Sequence, residues 1–182
     1  GTDTIPAIDL LEDYYNADAS KEPIAFSVPA SEHSVSSLGT ALESELEFFR
    51  KAITKQYPTG IVSLVADTYD FFKVITEYAT ELKEDILNRK PNALGLAKVV
   101  WRPDSGNPVK IVCGDPDAPV GSPQYKGAVE CLWDIFGGTV SEQGFKTLNQ
   151  RTGLIYGDSI TQKIAFEILT KLKEKGFASN NI

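Results

Sequence analysis

The chain has 182 residues, enough to bury a core of ordinary size within one domain. Apolar residues make up 42% and charged residues 24%, a balance that is typical of globular proteins and excludes a disordered chain. The formal net charge is -7 and no run of Lys or Arg forms a basic stripe, so we expect neither a nucleic acid nor a membrane as a partner.

The two cysteines, Cys113 and Cys131, are too few for a disulfide framework and lack a zinc-like spacing. No segment reaches the roughly 18 apolar residues of a membrane span, and the first residues lack the features of a secretion signal. We therefore expect reduced thiols in a soluble, cytoplasmic protein. The chain stops at residues 180–182, where a new apolar strand is expected to begin, which favours a fragment of a longer protein.

Four longer helices are predicted from capping residues that precede apolar residues at helical spacing. Between residues 109 and 152 the pattern is less regular, and we expect a helical and loop insertion with two short helices at 125–136 and 142–148. The longer helices are predicted to start at Thr4, at Ser34 or Ser37, at Thr68 or Asp70, and at Ser159.

Four short apolar segments between these helices have the length and composition of buried strands. Strands that alternate with helices are typical of a parallel sheet with helical crossovers. The predicted fold class is therefore α/β, in a single domain over residues 1–182. The predicted strands are residues 24–28, 61–66, 96–101 and 153–156.

Polar and charged residues directly follow each predicted strand. His33 comes after the first strand and Asp67 after the second, whereas Arg102 and Asp104 follow the third and Asp158 follows the fourth. Barrels and open parallel sheets place their sites at the carboxyl ends of their strands. We therefore predict that these five side chains surround one pocket at that edge.

Each of these residues also has an ordinary structural interpretation. Asp67 and Asp158 could cap the helices that follow them, and residues 104–107 could be turn chemistry alone. His33, the only histidine, could be structural, and Arg102 could form a surface ion pair of little value. Their convergence on one edge favours the functional interpretation.

Five motifs of the chain resemble, in this order, those of nicotinamide phosphoribosyltransferases. The resemblance runs over nearly the whole chain, and only residues 109–152 depart from the vertebrate pattern and look like the longer version of bacterial and phage members. The histidine and arginine motifs are the most specific. The motifs are GTDT at 1–4, SVPASEHS at 27–34, ADTYD at 66–70, RPDSGNP at 102–108 and YGD at 156–158.

The resemblance implies the α/β-barrel-like domain of type II phosphoribosyltransferases and a role for each matching residue. His33 would take a phosphoryl group from ATP, with the carboxylate of Asp67 close to it. Arg102 would stack on the pyridine ring of nicotinamide, and Asp104 would lie by the ribose and the ring. Asp3 would hydrogen-bond the carboxamide. The residues that would line the pocket and hold ribose or phosphate groups are Ser27, Ser63, Gly157 and Asp158.

The implied enzyme is a pentosyltransferase of NAD salvage that joins nicotinamide to the phosphoribosyl group of phosphoribosyl diphosphate, with ATP as a coupling substrate. Positive charge develops on the ribose and negative charge on the departing diphosphate; carboxylates stabilise the first, and Mg²⁺ with N–H groups stabilises the second. A planar guanidinium such as Arg102 can stack on a pyridine ring, as an ammonium cannot. The resemblance also implies a homodimer whose site borrows residues from the other subunit.

Two other functions stay open. A nicotinate phosphoribosyltransferase would share the fold and the reaction, but an ionised Asp3 would repel the carboxylate of nicotinate. A non-catalytic fragment is the other alternative, because the chain lacks the aromatic partner of Arg102, the Gly-rich phosphate loop and the downstream basic residues that the family uses to grip phosphates. We therefore expect the isolated chain to be weak or inactive.

Overall fold

A computed structural model describes residues 4–22, 24–25, 27–41 and 43–182. It confirms the α/β class, because three parallel strands form a sheet in the order β1-β2-β5 and helices connect them. A separate antiparallel hairpin consists of β3 and β4. The strands are β1 (Gly60–Val65), β2 (Ala97–Arg102), β3 (Gly138–Val140), β4 (Lys146–Leu148) and β5 (Thr152–Leu154).

Ten α-helices surround this sheet in the described part of the chain. A π-helical segment, Ala52–Gln56, extends α3, and a second one, Val74–Tyr78, joins α4 to α5. None of the described helices combines the length and the apolar character that a membrane crossing requires. The helices are α1 (Thr4–Tyr15), α2 (His33–Thr40), α3 (Glu45–Lys51), α4 (Phe71–Lys73), α5 (Ala79–Glu81), α6 (Lys83–Leu87), α7 (Pro108–Cys113), α8 (Pro123–Lys126), α9 (Ala128–Phe136) and α10 (Gln162–Glu174).

The three parallel strands end side by side, which brings the residues that follow them together. Leu64 lies opposite Trp101, and Trp101 lies opposite Leu154. Trp101 is fully buried, its ring packs edge-on against Phe49 at 6.0 Å, and its indole N–H donates to the hydroxyl of Thr152. The centre of the sheet is therefore rigid, and the edge of the sheet at the strand ends is fixed with it.

Three of the four predicted strands are confirmed to within two residues, but the strand predicted at 24–28 was wrong for the described residues of that segment. The chain instead meets β1 slightly later, through a single parallel bridge between Ala30 and Ser63. The carbonyl oxygen of Pro29 accepts from the N–H of Ser63. Because Pro29 has no N–H to donate, the pairing with β1 does not extend to the residues before it. The segment nevertheless lies beside β1, and His33, which follows it, lies near the end of that strand.

The helix predicted from Ser34 or Ser37 to beyond residue 49 is two helices, α2 and α3. Gly39 allows the break, because a Cβ at this position would lie 2.4 Å from the ring of Phe48 in α3. Ser44 then starts α3 by accepting from the N–H of Glu47. The close approach folds α2 back along α3 and leaves the start of α2 facing the sheet edge.

The short helix predicted at 142–148 was wrong, because this segment forms the turn and second strand of the β3–β4 hairpin. Gly144 occupies the turn with φ at +85°, a backbone conformation that glycine adopts without strain. The hydroxyl of Ser141 closes the turn by accepting from the N–H of Phe145. The predicted helix at 125–136 is present as α8 and α9.

Both cysteines are buried free thiols, and burial raises the pKa of each thiol to about 11. Almost no thiolate therefore exists at neutral pH, and the thiolate is the reactive form. We expect neither Cys113 nor Cys131 to react with iodoacetamide in the folded chain, whereas both react in urea, as intact-mass measurement would show. Alkylation of the native chain at the rate of the unfolded chain would contradict this prediction.

Candidate active site at the ends of the parallel strands

Asp67 lies two residues after the end of β1 and is the centre of the site. Its side chain is only 5% exposed, and its Oδ1 lies 3.0 Å from Nε2 of His33. Its Oδ2 accepts from the backbone N–H of Asp104 at 2.9 Å and from the hydroxyl of Ser105 at 2.5 Å. These partners fix the position of the nearly buried carboxylate. Asp67 thus connects the end of β1 with His33 and with residues 104–105.

The hydrogen bonds to Asp67 also set its charge. Burial alone would raise the pKa of Asp67, but the hydrogen bonds from Ser105, from the N–H of Asp104 and from His33 outweigh burial and lower the pKa below its ordinary value. Asp67 is therefore ionised at neutral pH. Because an ionised carboxylate can only accept, the His33 proton belongs on Nε2 and the free lone pair is on Nδ1.

His33 is the first residue of α2, and its side chain is 47% exposed. Glu32 occupies the N-cap position without capping the helix, since its carboxylate binds Arg102 instead. The first N–H groups of α2 therefore have no side-chain acceptor at the cap, and a helix start of this kind attracts anions. An accessible imidazole thus lies at a helix start whose first N–H groups have no side-chain acceptor.

Arg102 ends β2, and carboxylates from two segments hold its guanidinium. Its Nη2 lies 2.9 Å from Oε2 of Glu32 and 3.1 Å from Oδ2 of Asp104, and its side chain is 17% exposed. Its Nε is buried without a hydrogen-bond partner among the described residues. Arg102 is therefore an anchored, largely buried cation at the strand ends, which differs from the surface ion pair considered above.

Asp158 and Gly157 follow β5, and both are exposed. The pKa of Tyr156 is raised by burial and raised further by the negative charges of Asp67, Asp158 and Asp104. In the described part of the chain, however, Asp158 accepts only from the hydroxyl of Ser159 and makes no hydrogen bond to the Asp67 network.

The remaining predicted site residues lie further from this network. Ser63 is buried within β1, and its backbone pairs with Pro29 and Ser31. Ser27 is exposed and is not brought into the network. Asp3 lies outside the described residues. The binding roles predicted for these residues stay predictions.

The alternative capping interpretations can be compared directly with the helix starts. Asp70, not Asp67, caps α4 by accepting from the N–H of Lys73, and Thr161, not Asp158 or Ser159, caps α10. Asn107 does cap α7, by accepting from the N–H of Lys110. The structural interpretation of residues 104–107 therefore holds for Asn107, whereas Asp67 is committed to the site.

Two residues of this network were not assigned a role from the sequence. The hydroxyl of Ser105 donates to Asp67, and the hydroxyl of Tyr156 donates to the carbonyl oxygen of Ser105 at 2.6 Å. The available signal was their position, since Ser105 lies inside the arginine motif and Tyr156 precedes Gly157 directly.

Comparisons with known proteins identify the family of the chain. The model of the nicotinate phosphoribosyltransferase (NAPRTase) family matches residues 1–182. The chain is 59% identical over its whole length to a nicotinamide phosphoribosyltransferase of Acinetobacter baylyi and covers 35% of that protein. It is 37% identical over 87% of its length to one of Mycoplasma pneumoniae, covering 33% of it, and 34% identical over its whole length to one of Xanthomonas campestris pv. campestris, covering 34%.

The chain thus spans about a third of the length of the curated relatives that it matches. The family model matches every residue of the chain, and the parallel sheet with connecting helices is consistent with that match. The chain belongs to the nicotinate phosphoribosyltransferase family.

Proposed function

We propose that this chain is part of a nicotinamide phosphoribosyltransferase, which forms nicotinamide mononucleotide and diphosphate from nicotinamide and phosphoribosyl diphosphate. The observation that carries the proposal is the hydrogen bond between His33 and Asp67 at the edge where Arg102 and Asp104 also lie. The names of the relatives support the choice of substrate.

In this proposal Arg102 binds the pyridine ring and Asp104 stabilises the ribose. Because Glu32 and Asp104 fix the guanidinium, its plane can orient a stacked ring without a further loss of side-chain entropy. The ring nitrogen attacks C1 with its own lone pair and needs no general base. As diphosphate leaves, the carboxylate of Asp104 stabilises the positive charge that develops on the ribose.

ATP and Mg²⁺ belong to this proposal as coupling substrate and cofactor. The Nδ1 atom of His33 attacks the γ-phosphorus of ATP and ADP leaves; water later hydrolyses the phosphohistidine to phosphate. The N–H groups at the start of α2 stabilise the phosphoryl oxygens. Within the described ranges no group of three or more His, Cys, Asp or Glu side chains is arranged to hold a metal ion. Mg²⁺ typically binds through phosphate oxygens with one or two carboxylates, so we propose that it enters with the diphosphate and screens the negative charge there.

The nearest alternative is a nicotinate phosphoribosyltransferase, which the description of the family favours. The two substrates differ only in an amide or a carboxylate on the ring, and Asp3 is the residue proposed to contact that group. An ionised Asp3 accepts a hydrogen bond from an amide NH₂ and repels a carboxylate.

The test is the activity of the full-length protein on both rings. We expect turnover of nicotinamide in large excess over nicotinate, and we expect Asp3→Ser to lower kcat/KM for nicotinamide while raising it for nicotinate. The change in their ratio should correspond to about 1.5 to 3 kcal/mol, the contribution of a hydrogen bond to a charged group. Asp9→Ser, at an exposed acidic residue of α1, is the matched control and should leave the ratio unchanged. An unchanged ratio in Asp3→Ser would refute this role, and preferential turnover of nicotinate by the wild type would favour the alternative.

A further inference from the structure

Two of the partners of the Asp67 carboxylate come from one loop, residues 103–107, which connects β2 to α7. The N–H of Asp104 and the hydroxyl of Ser105 both donate to Oδ2. The position of this loop therefore sets the position of the carboxylate. Through Oδ1, the carboxylate in turn sets the orientation of the His33 ring.

Tyr156 fixes this loop from the neighbouring strand. Its hydroxyl donates to the carbonyl oxygen of Ser105 at 2.6 Å and lies 3.2 Å from that of Gly106. Its ring belongs to the hydrophobic core and is 9% exposed. Because Tyr156 follows β5, which is paired in register with β2, the hydroxyl is held on a rigid support.

The surroundings of Tyr156 keep it a hydrogen-bond donor. Burial raises the pKa of Tyr156, and the negative charges of Asp67, Asp158 and Asp104 raise it further. The phenol therefore stays protonated throughout the physiological pH range. A group that does not change its charge can hold a neighbour in place, but it does not exchange protons with a substrate at neutral pH.

We propose that Tyr156 is a positioning residue for the His33–Asp67 pair and acts through Ser105. Three hydrogen bonds connect the end of β5 to the start of α2. Tyr156 donates to the carbonyl oxygen of Ser105, the hydroxyl of Ser105 donates to Asp67, and Asp67 binds His33. This inference rests on the proposed function, in which His33 takes the phosphoryl group. Tyr156 touches neither substrate nor phosphoryl group in it.

The test is Tyr156→Phe in the full-length protein, a change that keeps the buried ring and removes the donor. We expect the loop to loosen and the hydrogen bonds to Asp67 to weaken, so that the pKa of Asp67 rises towards its ordinary value. The NMR titration of the Asp67 carboxyl carbon should therefore move to higher pH in this variant. The rate of ATP hydrolysis at neutral pH should fall about tenfold, as expected for the loss of one hydrogen bond, while KM for nicotinamide stays unchanged.

Two further variants separate positioning from a general loss of folding. Ser105 is exposed, so Ser105→Ala should preserve the fold and shift the Asp67 titration in the same direction, whereas Ser105→Thr keeps the hydroxyl and should keep the wild-type titration. Tyr125→Phe removes a hydroxyl from a tyrosine that is 39% exposed and lies outside the network, and it should change nothing.

Direct titration of the Asp67 carboxyl carbon by NMR needs no activity and distinguishes this inference from the proposed function. The charged and titratable neighbours that the titration must take into account are His33, Asp104, Arg102, Tyr156 and Asp158. A shifted Asp67 titration in Tyr156→Phe would support the positioning role of Tyr156, whether or not the protein hydrolyses ATP. If the wild-type protein hydrolyses no ATP, the proposed role of His33 as phosphoryl acceptor is refuted separately. An unshifted titration in both Tyr156→Phe and Ser105→Ala would overturn the positioning role.

Discussion

Replacement of His33 by Ala in the full-length protein should abolish ATP hydrolysis while some ATP-independent transfer remains. The ionised carboxylate of Asp67 keeps the proton on Nε2, which leaves Nδ1 as the atom that attacks ATP. Without that nitrogen no phosphoryl group can be accepted. We expect ATP hydrolysis to fall by about 10³-fold or more, as is usual for loss of a nucleophile, and the gain in affinity that ATP brings should disappear with it.

His33→Gln provides the matched control, because an amide can still donate to Asp67 but cannot carry the phosphoryl group. ATP hydrolysis should be lost in His33→Gln as in His33→Ala. The melting temperature should change by only a few degrees in either variant, since the ring is 47% exposed and Asp67 keeps its hydrogen bonds from Asp104 and Ser105. Normal ATP hydrolysis would mean that His33 is not the phosphoryl acceptor, and a collapse in stability with all activities falling together would mean that His33 is structural.

The strands β1 and β5 could be predicted from the sequence because they are largely buried on both sides of the backbone. Such strands appear as continuous runs of Val, Ile and Leu, as in β1, and these runs stand out locally. The hairpin at β3 and β4 could not be predicted in this way. Each of its strands has only three residues, and the pairing joins Gly138 to Leu148, so the structure depends on a partner rather than on local pattern.

Part of the candidate site could also be predicted from the sequence. His33, Asp67, Arg102 and Asp104 follow strands or the segment beside them, and parallel strands necessarily end at a common edge, so the sequence order alone places them together. The role of Tyr156 was not predictable, because its hydroxyl meets the carbonyl oxygen of a residue 51 positions earlier. A tyrosine after an apolar segment otherwise indicates only a buried ring.

Arg89 is a buried cation whose loss should strongly reduce the stability of the fold. It is 4% exposed, and its guanidinium donates to carbonyl oxygens at the end of the helix that α3 begins and at the start of β1. Burial lowers the pKa of Arg89, yet an arginine stays charged in proteins. The carbonyl groups at a helix C-terminus carry partial negative charge and stabilise this cation. The carbonyl oxygens bound by Arg89 are those of Ile53, Tyr57, Thr59 and Gly60.

Arg89→Met should therefore lower the free energy of unfolding by about 3 kcal/mol or more, because the buried carbonyl oxygens lose their donors while the apolar volume is largely kept. Arg89→Lys should fall between the wild type and Arg89→Met, since an ammonium cannot reproduce the planar arrangement of donors. Arg50→Met is the control: the side chain of Arg50 is 35% exposed and pairs with Asp85 near the surface, so its loss should cost about 1 kcal/mol or less. Urea unfolding measures each difference from the midpoint at constant slope. An Arg89→Met variant as stable as Arg50→Met would show that water can replace the guanidinium at these carbonyl groups, and that the junction between helix and strand does not depend on Arg89.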